Sequence, residues 1–215
     1  MDIPQSEFFH NRRDAAVQLI SHLEPYREKN PVILGIPRGG MPMAGLIARA
    51  LGAEMDPVFI KKIGAPWNPE LAIGAVGESG TYHINRSLVE ELGIRSRYIE
   101  QARREAIFKN RSRARSYRKI KPRVPLEDRT VILVDDGIAT GATMRACLEI
   151  IHGEEPKKIV LAIPVAAADS LESLRPRADE VICLHEIKGF FGGEFSQTTD
   201  QEVLEILKEF SENEG

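Results

Sequence analysis

Cysteine, tryptophan and long apolar runs are all scarce in this chain of 215 residues. The two cysteines, Cys147 and Cys183, fall in a predicted helix and a predicted strand with no metal-ligand spacing around them. They read as reduced, buried thiols, with a pairing between them left open by sequence. No apolar run approaches the length of a membrane span, and Met1 to His10 lacks the pattern of a signal peptide, so a cytoplasmic protein with no membrane partner is expected. Charge of one sign is also missing. With 29 basic and 32 acidic residues the net charge is -3, which implies no overall attraction to nucleic acid or membrane. The five histidines are scattered and offer no metal cluster. There is no internal repeat and no low-complexity linker. A hydrophobic content of 42% suits one globular core, or one core with a small cap.

What the chain does have is an alternation of apolar strands and amphipathic helices. Residues 7 to 23 carry apolar side chains at helical spacing. Val32 to Ile36 reads as a core strand, followed by a helix to Leu51 capped by Gly52. Val58 to Ile63 reads as the next strand. A proline-rich loop, Gly64 to Glu70, follows it. Leu71 to Val76 and Thr81 to Ile84 then form a hairpin through Gly77 to Gly80. Ser87 to Tyr117 reads as helix, broken near Gly93. Strands follow at Val131 to Val134, Lys158 to Ile163 and Glu180 to Leu184. Pro164 to Ala168 either leaves space for a base or begins a helix to Leu174. Gln201 to Phe210 closes the chain as a helix with Asp200 at its N-cap. This order predicts an α/β fold, a mainly parallel twisted sheet flanked by helices, with a hairpin insertion.

The stretch with chemistry in it is Val131-Ile132-Leu133-Val134-Asp135-Asp136-Gly137-Ile138-Ala139-Thr140-Gly141-Ala142-Thr143-Met144. A buried strand ends in two carboxylates. A loop then turns backbone N–H groups and two hydroxyls toward the start of a helix, where amides and helix dipole favour an anion. Acids beside a phosphate nest make sense for a ligand with a phosphate at one end and hydroxyls or a metal at the other. A ribose 5-phosphate meets both demands; the plainer alternative is a strand-loop-helix whose acids cap the helix. The loop is not a Walker A motif, because no lysine follows Gly141.

A second glycine loop, Pro37-Arg38-Gly39-Gly40-Met41-Pro42, follows the first core strand. Its glycines admit close approach of a ligand, and its arginine suits phosphate. Lys61 and Lys62 put at least one ammonium on each face of their strand, and either could serve a pyrophosphate or simply be solvated. The segment from Arg103 to Arg123 is strongly basic: a solvated helical face, or a surface for RNA. Gly189-Phe190-Phe191-Gly192-Gly193 sets two aromatics on a glycine-hinged loop, where they either stack on a flat base or anchor the tail.

The Asp135 to Thr143 segment resembles the ribose-phosphate motif of the type I phosphoribosyltransferases, which use phosphoribosyl pyrophosphate (PRPP). Lys62-Ile63-Gly64-Ala65-Pro66 and Asn68-Pro69-Glu70 resemble a less characterised bacterial and archaeal branch of that family. The resemblance covers most of the chain and implies a single domain over 1–215. An insertion at about 64–122 would carry a flexible hood, with a small C-terminal hood at about 185–200. It implies transfer of the phosphoribosyl group from PRPP to an acceptor with release of pyrophosphate, assisted by Mg2+ bound mainly through PRPP. By the same resemblance, Asp135 and Asp136 are catalytic and hold ribose together with Gly137, while Ala139, Thr140, Gly141, Ala142 and Thr143 hold the 5-phosphate. Arg38, Gly39 and Gly40, with Lys61 and Lys62, serve pyrophosphate; Phe190 and Phe191 serve the acceptor. A homodimer is expected. Members that use 6-oxopurines have an acid just before the motif threonine; here it is Ala139, which disfavours hypoxanthine or guanine and leaves the acceptor open. A PRPP sensor that binds RNA through the basic segment is the alternative from another class.

Overall fold

The computed structural model describes residues 8–188 and 195–212. Helix α1 (Arg12–Leu23) begins later than the apolar spacing suggested, because the Asn11 side chain accepts from the Asp14 N–H and caps it there. Its buried Ala15, Ala16, Leu19 and Leu23 form one side, set against the sheet and the next helix. Strand β1 (Pro31–Gly35) is buried throughout, and helix α2 (Gly40–Leu51) ends at Gly52, whose φ of 63° supplies the left-handed cap. Strand β2 (Glu54–Pro57) follows at once.

From Val58 the chain leaves this sheet. Strands β3 (Ile60–Ala65), β4 (Asn68–Gly77) and β5 (Tyr82–Ile84) form a separate three-stranded antiparallel sheet. The strand expected at 58–63 is β3 from Ile60 onward and belongs to this second sheet, whereas β2, for which the sequence predicts no strand, ends at Pro57 in the first. Backbone pairing decides this: Glu54 to Pro57 match Val32 to Gly35 in parallel, whereas Ile60 to Ala65 pair antiparallel with β4. The Gly64 to Glu70 loop is likewise mostly strand, reduced to a turn at Pro66 and Trp67. Helices α3 (Arg86–Glu91) and α4 (Ser96–Arg118) are separated at Gly93, where φ is 61°. The small sheet packs on them through Ile63, Ile73, Val76, Ile94 and Ala106.

The chain then returns as β6 (Thr130–Val134), α5 (Ala142–His152), β7 (Lys158–Ala167), α6 (Ala168–Leu174), β8 (Glu180–Ile187) and α7 (Asp200–Glu212). The five-stranded sheet has the order β2-β1-β6-β7-β8 and is parallel throughout. Period-two alternation divides its side chains. Ile33, Ile132 and Val134 face α1, α2 and α7; Val32, Leu34, Val131 and Leu133 face α5 and α6.

Two local expectations are corrected. Strand β7 runs through Pro164 to Ala167 instead of turning into helix at 164. Pro164 lies beyond the last β6 pair, Val134 with Ala162, and has no pairing with β8, so its missing N–H costs no ladder bond. The cap of α7 is Thr199 rather than Asp200. Its hydroxyl accepts from the Glu202 N–H at 3.2 Å, and Glu202 accepts from the Thr199 N–H at 2.6 Å, a reciprocal capping box. Among the described residues, no helix is long and apolar enough to cross a membrane.

Candidate functional site

In the order β2-β1-β6-β7-β8, the chain moves outward in one direction from β1 and in the other from β6. Helix α2 packs on one face and α5 on the other. The carboxyl ends of β1 and β6 therefore flank a topological switch point, the crevice where open α/β sheets bind ligands. Both glycine loops read from sequence emerge there, side by side.

Their contact explains the paired glycines. Ile36 N–H donates to the Val134 carbonyl at 3.1 Å as the chain enters the first loop. A Cβ on Gly40 would lie 2.6 Å from that same carbonyl oxygen and 3.1 Å from Asp135 Cα. A Cβ on Gly39 would lie 2.7 Å from Asp136 Cγ and closer still to its Oδ2. Gly39 has φ -59° and ψ -39°, which any residue adopts, so glycine is required here by closeness and not by backbone angle. The Pro37–Arg38 peptide bond is cis, and Arg38 itself is exposed.

The two acids differ. Asp135 is half-buried at the strand end, and burial together with its neighbour Asp136 raises its pKa well above the ordinary carboxylate value. Asp135 Oδ1 accepts from the Asp136 N–H at 3.0 Å. Asp136 is held from outside by Arg12, whose Nε and Nη2 donate to Oδ2 at 3.0 and 2.5 Å. The same guanidinium donates through Nη1 to the Ser196 carbonyl and lies 5.1 Å from the Phe195 ring centroid. Arg12 thus ties α1 and the segment before α7 to the motif. No local signal marks it, because it stands 124 residues from its partner.

The second loop is anchored on its far side. Ile138 N–H donates to Val165 and its carbonyl accepts from Ala167, extending the β6–β7 pairing, while Ser170 Oγ donates to the Ala139 carbonyl at 2.7 Å. Gly141 sits at φ 69° immediately before α5, a left-handed position that favours glycine. Among the described residues, the N–H groups of Thr140, Gly141, Ala142 and Thr143 find no protein acceptor. They are the unpaired donors of the helix start, and Thr140 and Thr143 beside them are exposed.

The remaining candidates separate. Lys62 pairs with Ala75 across the small sheet and lines a cavity of about 180 Å3 with Ala142 and Arg145 of α5. Lys61 pairs with Val76 and therefore projects to the opposite face. Phe190 and Phe191 lie outside the described residues. Much of the basic segment serves internal contacts. Arg118 pairs with Asp56 at 2.5 Å and Glu78 at 2.7 Å, Arg123 with Glu154, and Arg111 donates to the Glu78 and Ser79 carbonyls. Tyr117, at the end of α4, donates to Asp200 at 2.6 Å; burial and that carboxylate push its ionisation up to about 12.

Comparison with known proteins identifies the family and the fold. The family model described as "Phosphoribosyl transferase domain" matches residues 4–197. Two Mycobacterium tuberculosis proteins, each named "Putative phosphoribosyl transferase", are 36% identical over 206 residues, covering 94% of this chain and 46% of theirs. The chain thus spans about half the length of these curated relatives. A Thermus thermophilus crystal structure superposes with a TM-score of 0.85 at 39% identity, covering 94% of this chain and 98% of that one. An Aquifex aeolicus protein shares the fold at a TM-score of 0.52 and 14% identity, with 90% and 84% covered.

Proposed function

The chain belongs to the phosphoribosyl transferase domain family, and from that premise we propose that it moves the 5-phosphoribosyl group of PRPP to a nitrogenous acceptor, releasing pyrophosphate. The observation that carries this reading is the packing of Gly39 and Gly40 against Asp136 and Asp135 at the β1–β6 switch point. It sets a glycine loop on each side of two carboxylates, which supports the reading because a sugar with a phosphate at one end and a pyrophosphate at the other requires an anion site on each side.

In this reading the 5-phosphate binds the amides from Ala139 to Thr143 and the hydroxyls of Thr140 and Thr143. Asp135 and Asp136, with the Gly137 backbone, take the ribose hydroxyls. Arg38, Gly39 and Gly40 take the pyrophosphate. Lys62 lies on the α5 side of the small sheet and is better placed than Lys61 to add a point charge. As the acceptor's lone pair forms its bond to the anomeric carbon, the bond to the pyrophosphate oxygen breaks and positive charge develops on the sugar. The carboxylates stabilise that charge, and positioning supplies the rest. The aromatics Phe190 and Phe191 are proposed to meet the acceptor. Ala139 offers no acid to an acceptor base.

The residues fit Mg2+ bound through the substrate. Among the described residues, no group of three or more His, Cys, Asp or Glu side chains is placed to hold a metal, while Asp135 and Asp136 supply hard oxygens beside the crevice. When bound, Mg2+ neutralises pyrophosphate charge and orients the substrate. A cytoplasmic homodimer completes the proposal.

The test is calorimetric titration with PRPP, with and without Mg2+, on the wild type and on the Asp135→Asn, Asp136→Asn double variant. Metal-dependent binding that the double variant loses, with its melting temperature kept, is the expected result. Wild-type affinity in the double variant would refute the assignment.

A further inference from the structure

A groove of about 730 Å3 runs along α4 and shares no lining residue with either glycine loop. One wall is the stripe Arg104, Phe108, Arg111 and Arg115, spaced four, three and four residues apart and so aligned on one side of the helix. Phe108 is 75% exposed. It is no core residue, since the side of α4 that packs inward is Ala106, Asn110, Ala114 and Tyr117.

The charges in the groove fall into two groups. Arg118 and Arg123 at its floor are matched by Asp56, Glu78 and Glu154. Arg111 is held by two backbone carbonyls, which fix its position and leave its charge uncompensated. Arg104 and Arg115 make no ion pair among the described residues. Three guanidinium groups without a carboxylate partner among the described residues thus share one stripe of α4 with an exposed phenyl ring, one of them held by two hydrogen bonds.

We propose that this groove binds a nucleotide, with the base stacked on Phe108 and the phosphates among Arg104, Arg111 and Arg115. Guanidinium forks match phosphate oxygens bidentately, and an aromatic face accepts any base. The volume is that of a small-molecule site. One aromatic provides for one base, whereas a single strand of RNA is tracked by successive stacking platforms along a continuous basic groove. The proposal is independent of the role assigned to the two glycine loops.

The experiment titrates the four ribonucleoside triphosphates, adenosine and inorganic triphosphate into the full chain by calorimetry at two salt concentrations. Saturable, salt-sensitive binding of at least one triphosphate is expected, weaker by tenfold or more for adenosine and for inorganic triphosphate. Phe108→Ala should weaken it about tenfold, the effect of one lost stacked base. Arg104→Gln with Arg115→Gln should do so at least tenfold and flatten the salt dependence. These side chains are exposed, so melting temperatures should stay with the wild type, and Asp135→Asn with Asp136→Asn should leave this binding unchanged. Absence of saturable binding, binding indifferent to the groove variants, or binding lost in the aspartate variant would each overturn the proposal. So would single-stranded RNA binding without mononucleotide binding, or a dimer dispersed by Phe108→Ala in a chain that binds no nucleotide.

Discussion

Replacing Gly39 by alanine separates the integrity of the fold from that of the crevice. The backbone at Gly39 is right-handed helical, so alanine incurs no φ penalty there and gains about 0.4–1 kcal/mol by restricting the unfolded chain. Against this, the added Cβ would stand 2.7 Å from Asp136 Cγ. Asp136 cannot swing aside freely, because Arg12 holds its Oδ2 through two N–H groups. Overpacking of this kind costs about 1–3 kcal/mol. The net loss of stability is then about 0–2.6 kcal/mol, small enough for the protein to stay folded. The carboxylate or the loop must shift, and a hydrogen bond to a charged group contributes about 1.5–3 kcal/mol. PRPP affinity should accordingly fall about 10- to 150-fold. Gly52→Ala is the matched control: its φ of 63° strains the backbone, yet a Cβ there meets nothing within 4 Å. It should lose about 1 kcal/mol of stability and keep PRPP affinity. Urea unfolding and PRPP calorimetry on both variants make the comparison. A Gly39→Ala protein that binds PRPP within twofold of the wild type would refute the reasoning.

Two further outcomes follow from charges that sequence did not pair. Arg12→Ala removes the partner of a half-buried carboxylate and releases the segment at Ser196; a loss of about 1–3 kcal/mol in urea unfolding and weaker PRPP binding are expected, with Arg12→Lys intermediate. Asp56 is buried, and desolvation lifts its pKa from 3.8 to about 6 in spite of Arg118. A raised carboxylate pKa means that the folded state holds the proton more tightly. The stability this confers is complete below pH 3.8 and is lost as pH rises to about 6, on the order of 3 kcal/mol. Unfolding free energies of the wild type and Asp56→Asn, measured from pH 4 to 7, should diverge across that window; a constant difference would show the assignment to be mistaken.

Much of the site was legible because its signals are local. Asp135, Asp136 and the Thr140 to Thr143 turn occupy one short stretch, and Arg38, Gly39 and Gly40 another, each following an apolar strand. Their adjacency was an inference from the parallel sheet, and the β1–β6 pairing of Leu34 with Leu133 establishes it. The strand read at Val58 to Ile63 is present as β3 from Ile60, but its sheet and the separate strand β2 before it were not legible, for a physical reason. A short apolar run has the same appearance whether its backbone pairs with β1 or with β4, and only the hydrogen-bond ladder distinguishes them. Lys61 and Lys62 were equivalent in sequence, and the register separated them. The basic segment looked like a solvated or nucleic-acid-binding face because charge density carries no information about partners: Glu78 and Asp56, which engage Arg118, lie 40 and 62 residues away.

Sequence alone determined the strand-loop-helix units and the carboxylates at the end of β6, since strand length, turn chemistry and helix periodicity are properties of neighbouring residues. Tertiary structure alone decided that Arg12 clasps Asp136, that Gly39 and Gly40 are glycines for the sake of Asp136 and Asp135, and that Lys62 rather than Lys61 meets α5. Those facts depend on distances across the fold. Such distances are set by sheet order and register, which no window along the chain contains.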